Sequence, residues 1–508
     1  MVYLYIYIYR LKIMNYLLLV TNELKTFIPE LYLSFSIFIL LIIGVFIKSN
    51  KQDISSINTI TSLCIQTLTL TFILILNNPF NIDKLIIFNG FLVIDYVSSM
   101  MKLIILLSTI SVLYISYDYF KTEKIISFEY SILILLATLG MILLISSYDF
   151  LSLYLAIELQ SLSLYILASF KKDSEFSTEA GLKYFILGAL SSGILLFGIS
   201  IIYGLTGSTN YEIISHLLIN VDNDINIKST GIIIATLFIA SALLFKLAAV
   251  PFHMWAPDVY EGSPTIVTAF FAIVPKLAII TLSLQVFTQV LFTLAYQSQI
   301  IFIFAAIASM IIGALGALQQ RKIKRLLAYS AIGHVGYMLI GLACNTPESI
   351  QAIFLYIIVY MIMSVNIFTA ILSIKNNNSY IQYIYELKGL SKYNGLLAIT
   401  ISLGVLSMAG IPPLAGFISK LYIFLAAIYA NMYILAIIAI LTSVIGAVYY
   451  LRLVKIIFFD KEETNINIFI DKQKSIVLAI SFLFITLFIL NPSFLLLFTH
   501  NLSYNLSL

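Results

Sequence analysis

Five side chains that can carry or exchange a proton stand inside long apolar stretches of this sequence. They are Glu158, Lys246, Lys276, His334 and Lys420. A charge at the centre of a membrane-spanning helix costs roughly 2.5–3.5 kcal/mol on the insertion scale, and such residues often mark proton or ion pathways. The structural alternatives are an interhelical salt bridge for the glutamate, snorkelling to an interface for a lysine, and a hydrogen-bonded packing role for the histidine.

Two of these residues belong to polar faces of otherwise apolar segments. Spacings of four, three and four residues place one set on a single helix face: Tyr154, Glu158, Ser161 and Tyr165. Spacings of four and three do the same for a second set: Ser330, His334 and Tyr337. A carboxyl on such a face can carry a proton into a helix bundle. A neutral imidazole can accept a proton on one nitrogen and release one from the other.

Two of the lysines lie close to a proline. Lys246 precedes Pro251 by five residues, and Lys276 directly follows Pro275. A proline removes one helical hydrogen bond, and a broken helix persists at membrane depth only where protein or cavity water satisfies the freed backbone. The pattern therefore predicts an interrupted helix and a hydrated lysine at both places. His253 lies seven residues after Lys246, and a relay role and a packing role are equally compatible with that position.

Lys420 is the most isolated charge in the sequence. It follows the motif GIPPLAGFISK, in which Pro412 and Pro413 should leave the carbonyls of Met408 and Ala409 without helical partners. The motif predicts a third interruption, again with a lysine beside it.

The composition explains why these charges are unusual. Of 508 residues, 61% are hydrophobic and only 10% are charged, whereas a soluble domain carries roughly 25% charged residues. A water-soluble fold is excluded because its surface could not be covered with polar groups. Cys64 and Cys344 cannot form a disulfide framework or a cysteine-based zinc site. No phosphate-binding glycine motif and no basic run favours a nucleotide or nucleic acid partner.

The apolar stretches predict an all-α polytopic membrane protein with about fourteen transmembrane helices, because a crossing needs about 20 apolar residues. The predicted segments, numbered 1 to 14, are 31–47, 54–76, 93–117, 125–148, 150–170, 183–206, 230–256, 264–290, 297–319, 325–344, 349–374, 393–422, 429–457 and 475–499. Residues 1–30 are expected to form an interfacial extension, since Tyr alternates with Ile there and Tyr favours membrane interfaces.

The remaining charges support this count. Nearly all basic residues between segments follow odd-numbered segments, whereas loops after even-numbered segments hold only Lys84 and Lys228. By the positive-inside rule, the loops that follow odd-numbered segments face the matrix or cytoplasm. Lys102 and Asp95 share segment 3, seven residues apart, and are weaker candidates that can pair with neighbours or reach an interface.

The interrupted segments also suggest an internal repeat. Segments 7 and 12 cross the membrane in opposite directions and become equivalent if segments 4–8 and 9–13 are two five-helix units. A unit with an odd number of helices must repeat with inverted topology, which is a transporter architecture. The expected organisation is 1–30 as the extension, 31–124 as helices 1–3, 125–290 and 297–457 as the repeats with helices 7, 8 and 12 broken, and 475–508 as helix 14 and the C-terminus.

Three sequence blocks resemble a known family. They are FKLAAVPFHMWAPDVYEGSPTIVTAFFAIVPKLA (245–278), KIKRLLAYSAIGHVGYMLIG (322–341) and MAGIPPLAGFISKLYIF (408–424). They resemble the antiporter-like subunits of respiratory complex I, which in turn resemble subunits of multi-subunit cation/proton antiporters. Lys420, with the lack of a lateral helix after segment 14, favours one branch of that family.

The resemblance implies a role for each candidate residue. Glu158 matches the glutamate of the fifth helix, and Lys246 its lysine partner on the broken seventh. Lys276 matches the central lysine of the eighth helix, His334 a bridging histidine of the tenth, and Lys420 the terminal lysine of the twelfth. Together they would form a proton relay in which Glu158 close to Lys246 holds the proton on the lysine and separation of the pair releases it.

The implied function is proton translocation as part of an NADH:ubiquinone reductase complex. The chain has no redox motif, so no cofactor is expected on it, and NADH, flavin mononucleotide, iron–sulfur clusters and ubiquinone are implied in partner subunits. The expected partners are other membrane-arm subunits, including neighbouring antiporter-like ones, and membrane lipids. The Ile, Tyr, Asn and Lys bias favours the mitochondrial inner membrane. Two alternatives stay open, a cation/proton antiporter and a scaffold whose charges only hold helices together.

Overall fold

The computed structural model describes residues 23–50, 54–78, 84–117, 119–123, 127–220, 226–376, 379–461, 466–468 and 471–507. The first half of the described chain contains these elements: α1 (Ile28–Asn50), α2 (Ile54–Asn77), β1 (Leu85–Ile87), β2 (Leu92–Ile94), α3 (Tyr96–Ser116), α4 (Tyr119–Glu123), α5 (Glu129–Ile145), α6 (Phe150–Ala168), α7 (Glu175–Thr206), α8 (Tyr211–Asn220), α9 (Asn226–Leu247), α10 (Trp255–Gly262) and α11 (Thr265–Gln285).

The second half continues in the same manner, with short strands only in connecting regions. Its elements are α12 (Ala295–Leu318), α13 (Ile323–Cys344), α14 (Pro347–Ile371), β3 (Ile374–Asn376), β4 (Ser379–Tyr380), α15 (Leu390–Tyr393), α16 (Gly395–Ala409), α17 (Ala415–Tyr429), α18 (Tyr433–Phe458), β5 (Ile466–Ile468), α19 (Lys472–Leu487) and α20 (Ser493–Ser507). β1 and β2 form an antiparallel hairpin, and β3 lies between β4 and β5 in an antiparallel sheet.

The prediction of an all-α polytopic membrane protein is confirmed. Twelve helices in the described part of the chain are long and apolar enough to cross a membrane: α1, α2, α3, α6, α7, α9, α11, α12, α13, α14, α18 and α19. The shorter apolar helices are α5, α16 and α17. Helices suit this solvent because they satisfy all their backbone polar groups internally, which lipid cannot do.

At the centre lies α11, in which every residue is buried. It packs against α3, α5, α9 and α14. By contrast, α7 exposes much of its apolar surface, for example Phe176, Ile186 and Leu190. A helix that is buried on every side is typical of the core of a membrane bundle, so α11 is the axis around which the candidate residues are arranged.

Two of the three predicted interruptions are present. α9 ends at Leu247, and Ala248 takes the left-handed φ of 61° before the chain turns into α10. α16 ends at Ala409, and Gly410 takes a left-handed φ of 84° before the chain turns into α17. A residue in that region cannot continue a right-handed helix, so each break has a defined backbone cause.

The third predicted interruption, in segment 8, is wrong. Pro275 lies inside α11, which is continuous from Thr265 to Gln285. A proline removes a single hydrogen bond, here to the carbonyl of Phe271, and this loss alone does not reverse the chain. No left-handed residue accompanies Pro275, and the close packing around α11 keeps the helix on its course.

Near the N-terminus, the predicted extension 1–30 lies largely outside the described residues. Its last residues are an exception, because α1 already begins at Ile28. Glu30, in the first turn, accepts a 2.7 Å ion pair from Lys102 of α3, and both side chains are almost fully buried. A carboxylate is favourable at a helix N-terminus, which extends the helix upstream of the predicted boundary. Asp95, the other weak candidate, caps the N-terminus of α3 through the Ser98 amide.

Candidate proton relay

Lys246 is held by a tyrosine rather than by the predicted glutamate. Its Nζ donates to the hydroxyl of Tyr165 at 3.2 Å and lies 5.6 Å from the centre of that ring. Among the described residues, no ion pair within 4.0 Å joins Lys246 to Glu158, although the two charges interact through space. The Glu158 Oε1 atom is buried and has no hydrogen-bond partner within the described part of the chain, while Ser161 donates to the Glu158 backbone carbonyl at 3.2 Å.

Lys276 shares a cavity with Lys246. This first lysine cavity, of about 20 Å³, is also lined by Gln160, Ser161 and Pro275, and such a volume has room for about one water molecule. On the side of Lys276 nearer α13 and α14, its Nζ lies 3.4 Å from the hydroxyl of Tyr360 and 3.5 Å from the carbonyl oxygen of Ala331. Lys276 is only 4% exposed, so it faces protein and not lipid.

His334 lies at the middle of a chain of hydroxyl groups. Its Nδ1 is 2.6 Å from the hydroxyl of Tyr356, and its Nε2 is 3.1 Å from the hydroxyl of Tyr450. The Tyr450 hydroxyl also bonds to Ser330. The ring of Tyr360, which reaches Lys276, lies 5.1 Å from the imidazole. The spacing prediction that Ser330 and His334 share a face agrees with this geometry, since both meet Tyr450.

Lys420 completes the arrangement. Its Nζ donates to the carbonyl of Ala409 at 2.8 Å, and it lies 5.2 Å from the ring centre of Tyr337. Lys420 and His334 line a second lysine cavity of about 20 Å³, together with Ser330. The Ala409 carbonyl is one of the two that the sequence predicted to be freed by the double proline, so the lysine satisfies the backbone at the break.

His253 stands apart from this arrangement. It is buried, and its Nδ1 has no hydrogen-bond partner in the ranges that the structure describes. Neither lysine cavity includes it among its lining residues. Among the described residues, no hydrogen bond and neither lysine cavity joins His253 to the other candidates.

Sequence reasoning missed the tyrosines that join the charged residues. Tyr356, Tyr360 and Tyr450 belong to α14 and α18, and all three are buried. The chain contains 33 tyrosines, so an individual tyrosine carries no signal in the sequence. Hydroxyl groups and water-sized cavities can pass protons between fixed charges, because a hydroxyl both donates and accepts a hydrogen bond.

Comparisons with known proteins decide the family. A family model described as NADH:quinone oxidoreductase/Mrp antiporter, TM, matches residues 147–446, which include all three blocks that carried the resemblance. NADH-ubiquinone oxidoreductase chain 2 of Marchantia polymorpha is 48% identical, over 95% of this chain and 98% of the relative. This protein belongs to the family of NADH-ubiquinone oxidoreductase chain 2. NADH-quinone oxidoreductase subunit N of Pelagibacter ubique, a bacterial relative, is 45% identical over 94% of this chain and 98% of its own.

Solved structures agree with this family. A chain of respiratory complex I from Thermus thermophilus, solved with bound aureothin, superposes with a TM-score of 0.75 at 29% identity, covering 92% of this chain and 98% of that one. A chain of the Mrp complex from Dietzia sp. superposes with a TM-score of 0.79 at 21% identity, covering 95% and 98%. The second likeness concerns the fold alone. The family resemblance found in the sequence, and the branch that it favoured, are confirmed.

Proposed function

We propose that this chain is a membrane-arm subunit of a proton-pumping NADH:quinone oxidoreductase and that it moves protons along Glu158, Lys246, Lys276, His334 and Lys420. The names of the chain 2 and subunit N relatives support the assignment to this complex. The observation that carries the relay is the succession of first lysine cavity, Tyr360, His334, Tyr450 and second lysine cavity, in which the rings of Tyr360 and His334 lie 5.1 Å apart. Every step in it offers a proton carrier, a hydroxyl or space for water.

In this proposal the Glu158–Lys246 pair is the switch. The two charges interact without a direct ion pair, so their separation can change without breaking a tight contact. When Glu158 is near, the proton stays on Lys246. When Glu158 is neutralised or moves away, the proton passes through the first lysine cavity to Lys276, and then by Tyr360 and His334 towards Lys420. Moving one charge against 100 mV costs about 2.3 kcal/mol, which a change in one close charge pair can supply.

Oxidation of NADH belongs to partner subunits in this proposal. NADH, flavin mononucleotide, iron–sulfur clusters and ubiquinone are bound by those partners, and no cofactor is bound by this chain. Neighbouring antiporter-like subunits and lipids cover the exposed apolar faces. The mitochondrial inner membrane is the proposed location, supported by the Marchantia polymorpha relative and by the Ile, Tyr, Asn and Lys bias.

The proposed architecture has fourteen membrane crossings. α5 and the broken pair α16–α17 would add to the twelve longer helices, and segments 4–8 (125–290) and 9–13 (297–457) would be inverted repeats. Two observations support this proposal. Each repeat contains one helix that is interrupted by a left-handed residue, and each interruption has a buried or half-buried lysine beside it.

The test is substitution of Lys276 by alanine in the assembled complex, with NADH oxidation and protons moved per electron measured in proteoliposomes. We expect pumping to fall severalfold while the chain still migrates with NADH-oxidising activity on a native gel. Lys474→Ala is the matched control, because Lys474 is also buried and donates to the Leu372 carbonyl at 3.1 Å, away from the relay. Unchanged pumping in Lys276→Ala rejects the relay. Proton movement that follows a sodium gradient without NADH favours the antiporter alternative.

A further inference from the structure

The short helix α10 separates two cavities. On one side, Trp255 and Tyr260 line the first lysine cavity. On the other side, Glu261 and Gly262 line a larger cavity of about 180 Å³. We call this larger cavity the vestibule; its charged lining residues are Glu123, Lys171, Glu261, Lys322 and Lys324. Its lysines belong to loops that follow odd-numbered segments, so the vestibule lies on the side that the positive-inside rule assigns to the matrix or cytoplasm.

A group of cations holds α10 in place. Glu261 accepts hydrogen bonds from Lys322 and, at 3.1 Å, from Arg325. Asp258 accepts from Lys183 at 2.9 Å and from Arg325 at 3.4 Å. We call these charge pairs the clamp. Glu261 is only 17% exposed, and a partly buried carboxylate that bonds to two cations is more strongly coupled than a surface pair.

The clamp stabilises a helix that would otherwise be poorly placed. Glu261 lies in the last turn of α10, where a negative charge opposes the helix dipole. Lys324 offsets this by donating to the carbonyls of Glu261 at 3.0 Å and Ser263 at 2.7 Å. The charges that fix the end of α10 therefore come from another element, the start of α13. That helix carries His334 further along, so a movement of α13 changes the force on α10.

The inner face of α10 is closely fitted. The Trp255 ring stacks on Tyr184 at 4.6 Å and 13°, and its Nε1 donates to the Phe245 carbonyl at 2.9 Å. Gly262 sits against α7, where an added Cβ would clash with the Phe176 carbonyl oxygen. The rings of Trp255 and Tyr184, which line the first lysine cavity, are therefore aligned by the position of α10.

We propose that α10 is a gate between the vestibule and the first lysine cavity, and that the clamp on Glu261 and Asp258 keeps it closed. Loosening the clamp lets α10 move away from α7 and α13, so water from the vestibule reaches Lys246 and Lys276 past Trp255. Glu261 is a positioning residue in this scheme. The inference rests on the proposed function, because it gives the relay its point of proton uptake.

The test uses Glu261→Gln in the intact complex, with two measurements. Amide hydrogen exchange across 255–262 reports the opening of α10, and we expect it to rise by about tenfold because bonds to two cations are weakened. Proton leak through proteoliposomes without NADH reports the gate, and it should rise as well. Glu261→Asp keeps the charge and should restore most of the protection. Asp258→Asn removes the more exposed half of the clamp, and a smaller rise is expected.

The matched control is Glu123→Gln. Glu123 pairs with Lys171 at 2.7 Å in the same vestibule, but it belongs to α4, and no hydrogen bond or ion pair between described residues joins it to the clamp. Its exchange across α10 and its leak should stay at the wild-type level. Unchanged exchange and leak in Glu261→Gln overturn the proposal, and so does an equal rise in Glu123→Gln. The exchange measurement does not depend on pumping, so failure of the gate is distinguishable from failure of the relay in Lys276→Ala.

Discussion

The two interrupted helices use their lysines differently. At the α16–α17 break, Lys420 donates to a backbone carbonyl, that of Ala409, at 2.8 Å. At the α9–α10 break, Lys246 donates to a side-chain hydroxyl, that of Tyr165, at 3.2 Å. Lys420 therefore satisfies a backbone carbonyl at the break before its own helix, whereas Lys246 bonds to a side chain of another helix, α6.

This difference affects how freely each lysine amine can change its orientation and protonation state. A carbonyl only accepts hydrogen bonds, so the Ala409 carbonyl fixes the direction of one Lys420 N–H whether the amine is charged or neutral. A tyrosine hydroxyl can accept from a charged amine and donate to a neutral one. Tyr165 can therefore accompany Lys246 through both protonation states. We infer that the α9–α10 break is suited to switching and the α16–α17 break to holding a fixed end point.

The largest expected effect is a loss of stability in Lys420→Met. The substitution leaves the buried Ala409 carbonyl without its donor, which costs about 1–3 kcal/mol. We expect faster amide exchange across 395–429 and a lower melting temperature of the complex. Lys246→Met serves as the control, because Lys246 donates to the side-chain hydroxyl of Tyr165 and not to a backbone carbonyl. Equal losses of stability in the two variants would show that the lysines have the same role.

The next effect is functional coupling between Glu158 and Lys246. Glu158→Gln keeps the shape and removes the charge, so pumping should fall strongly while the complex stays assembled. A double-mutant cycle with Lys246→Met should give a coupling energy of about 1 kcal/mol or more in the pumping barrier. The same cycle with Lys420→Met should give a smaller coupling energy, since that lysine does not face Glu158 and lies at the other end of the relay. Simple additivity for Glu158 and Lys246 rejects the switch and favours the scaffold.

The smallest expected effect concerns Tyr165, the hydrogen-bond partner of Lys246. Tyr165→Phe removes the hydroxyl that bonds Lys246 and should cost about 0.5–1.5 kcal/mol, seen as a modest change in pumping rate. The control is Tyr154→Phe, on the same predicted face of α6, which has no hydrogen bond to a lysine among the described residues. If both variants pump at the wild-type rate, the hydroxyl of Tyr165 does not assist Lys246.

The charged candidate residues could be identified from the sequence because each is rare in its surroundings. Lys420 stands alone in a long apolar stretch, and the double proline before it identified the carbonyl that it now satisfies. Periodicity also placed Ser330 and His334 on one face. The breaks near Lys246 and Lys420 were predictable because a proline lies close to each.

Other features depend on long-range packing and left no local signal. Tyr360 and Tyr450 reach Lys276 and His334 from helices that are distant in sequence, so only the fold shows their role. At Pro275 a local signal was present, but the break that it predicted is absent. Pro275 resembles Pro251 locally, but α11 continues through it, packed on all sides. The partner of Lys102, Glu30, also comes from another helix and lies in the stretch that was assigned to an extension.

The row of hydroxyls around His334 has a direction as well as a path. A neutral imidazole donates from one nitrogen and accepts at the other, so Tyr356 and Tyr450 must point the same way along the row. If a proton of the proposed relay passes along this row, every O–H and N–H in it is left reversed. The groups must then rotate back before a second proton can follow the first. The imidazole would thus pass one proton at a time. The rate at which these groups rotate back would set an upper limit on the rate of transport.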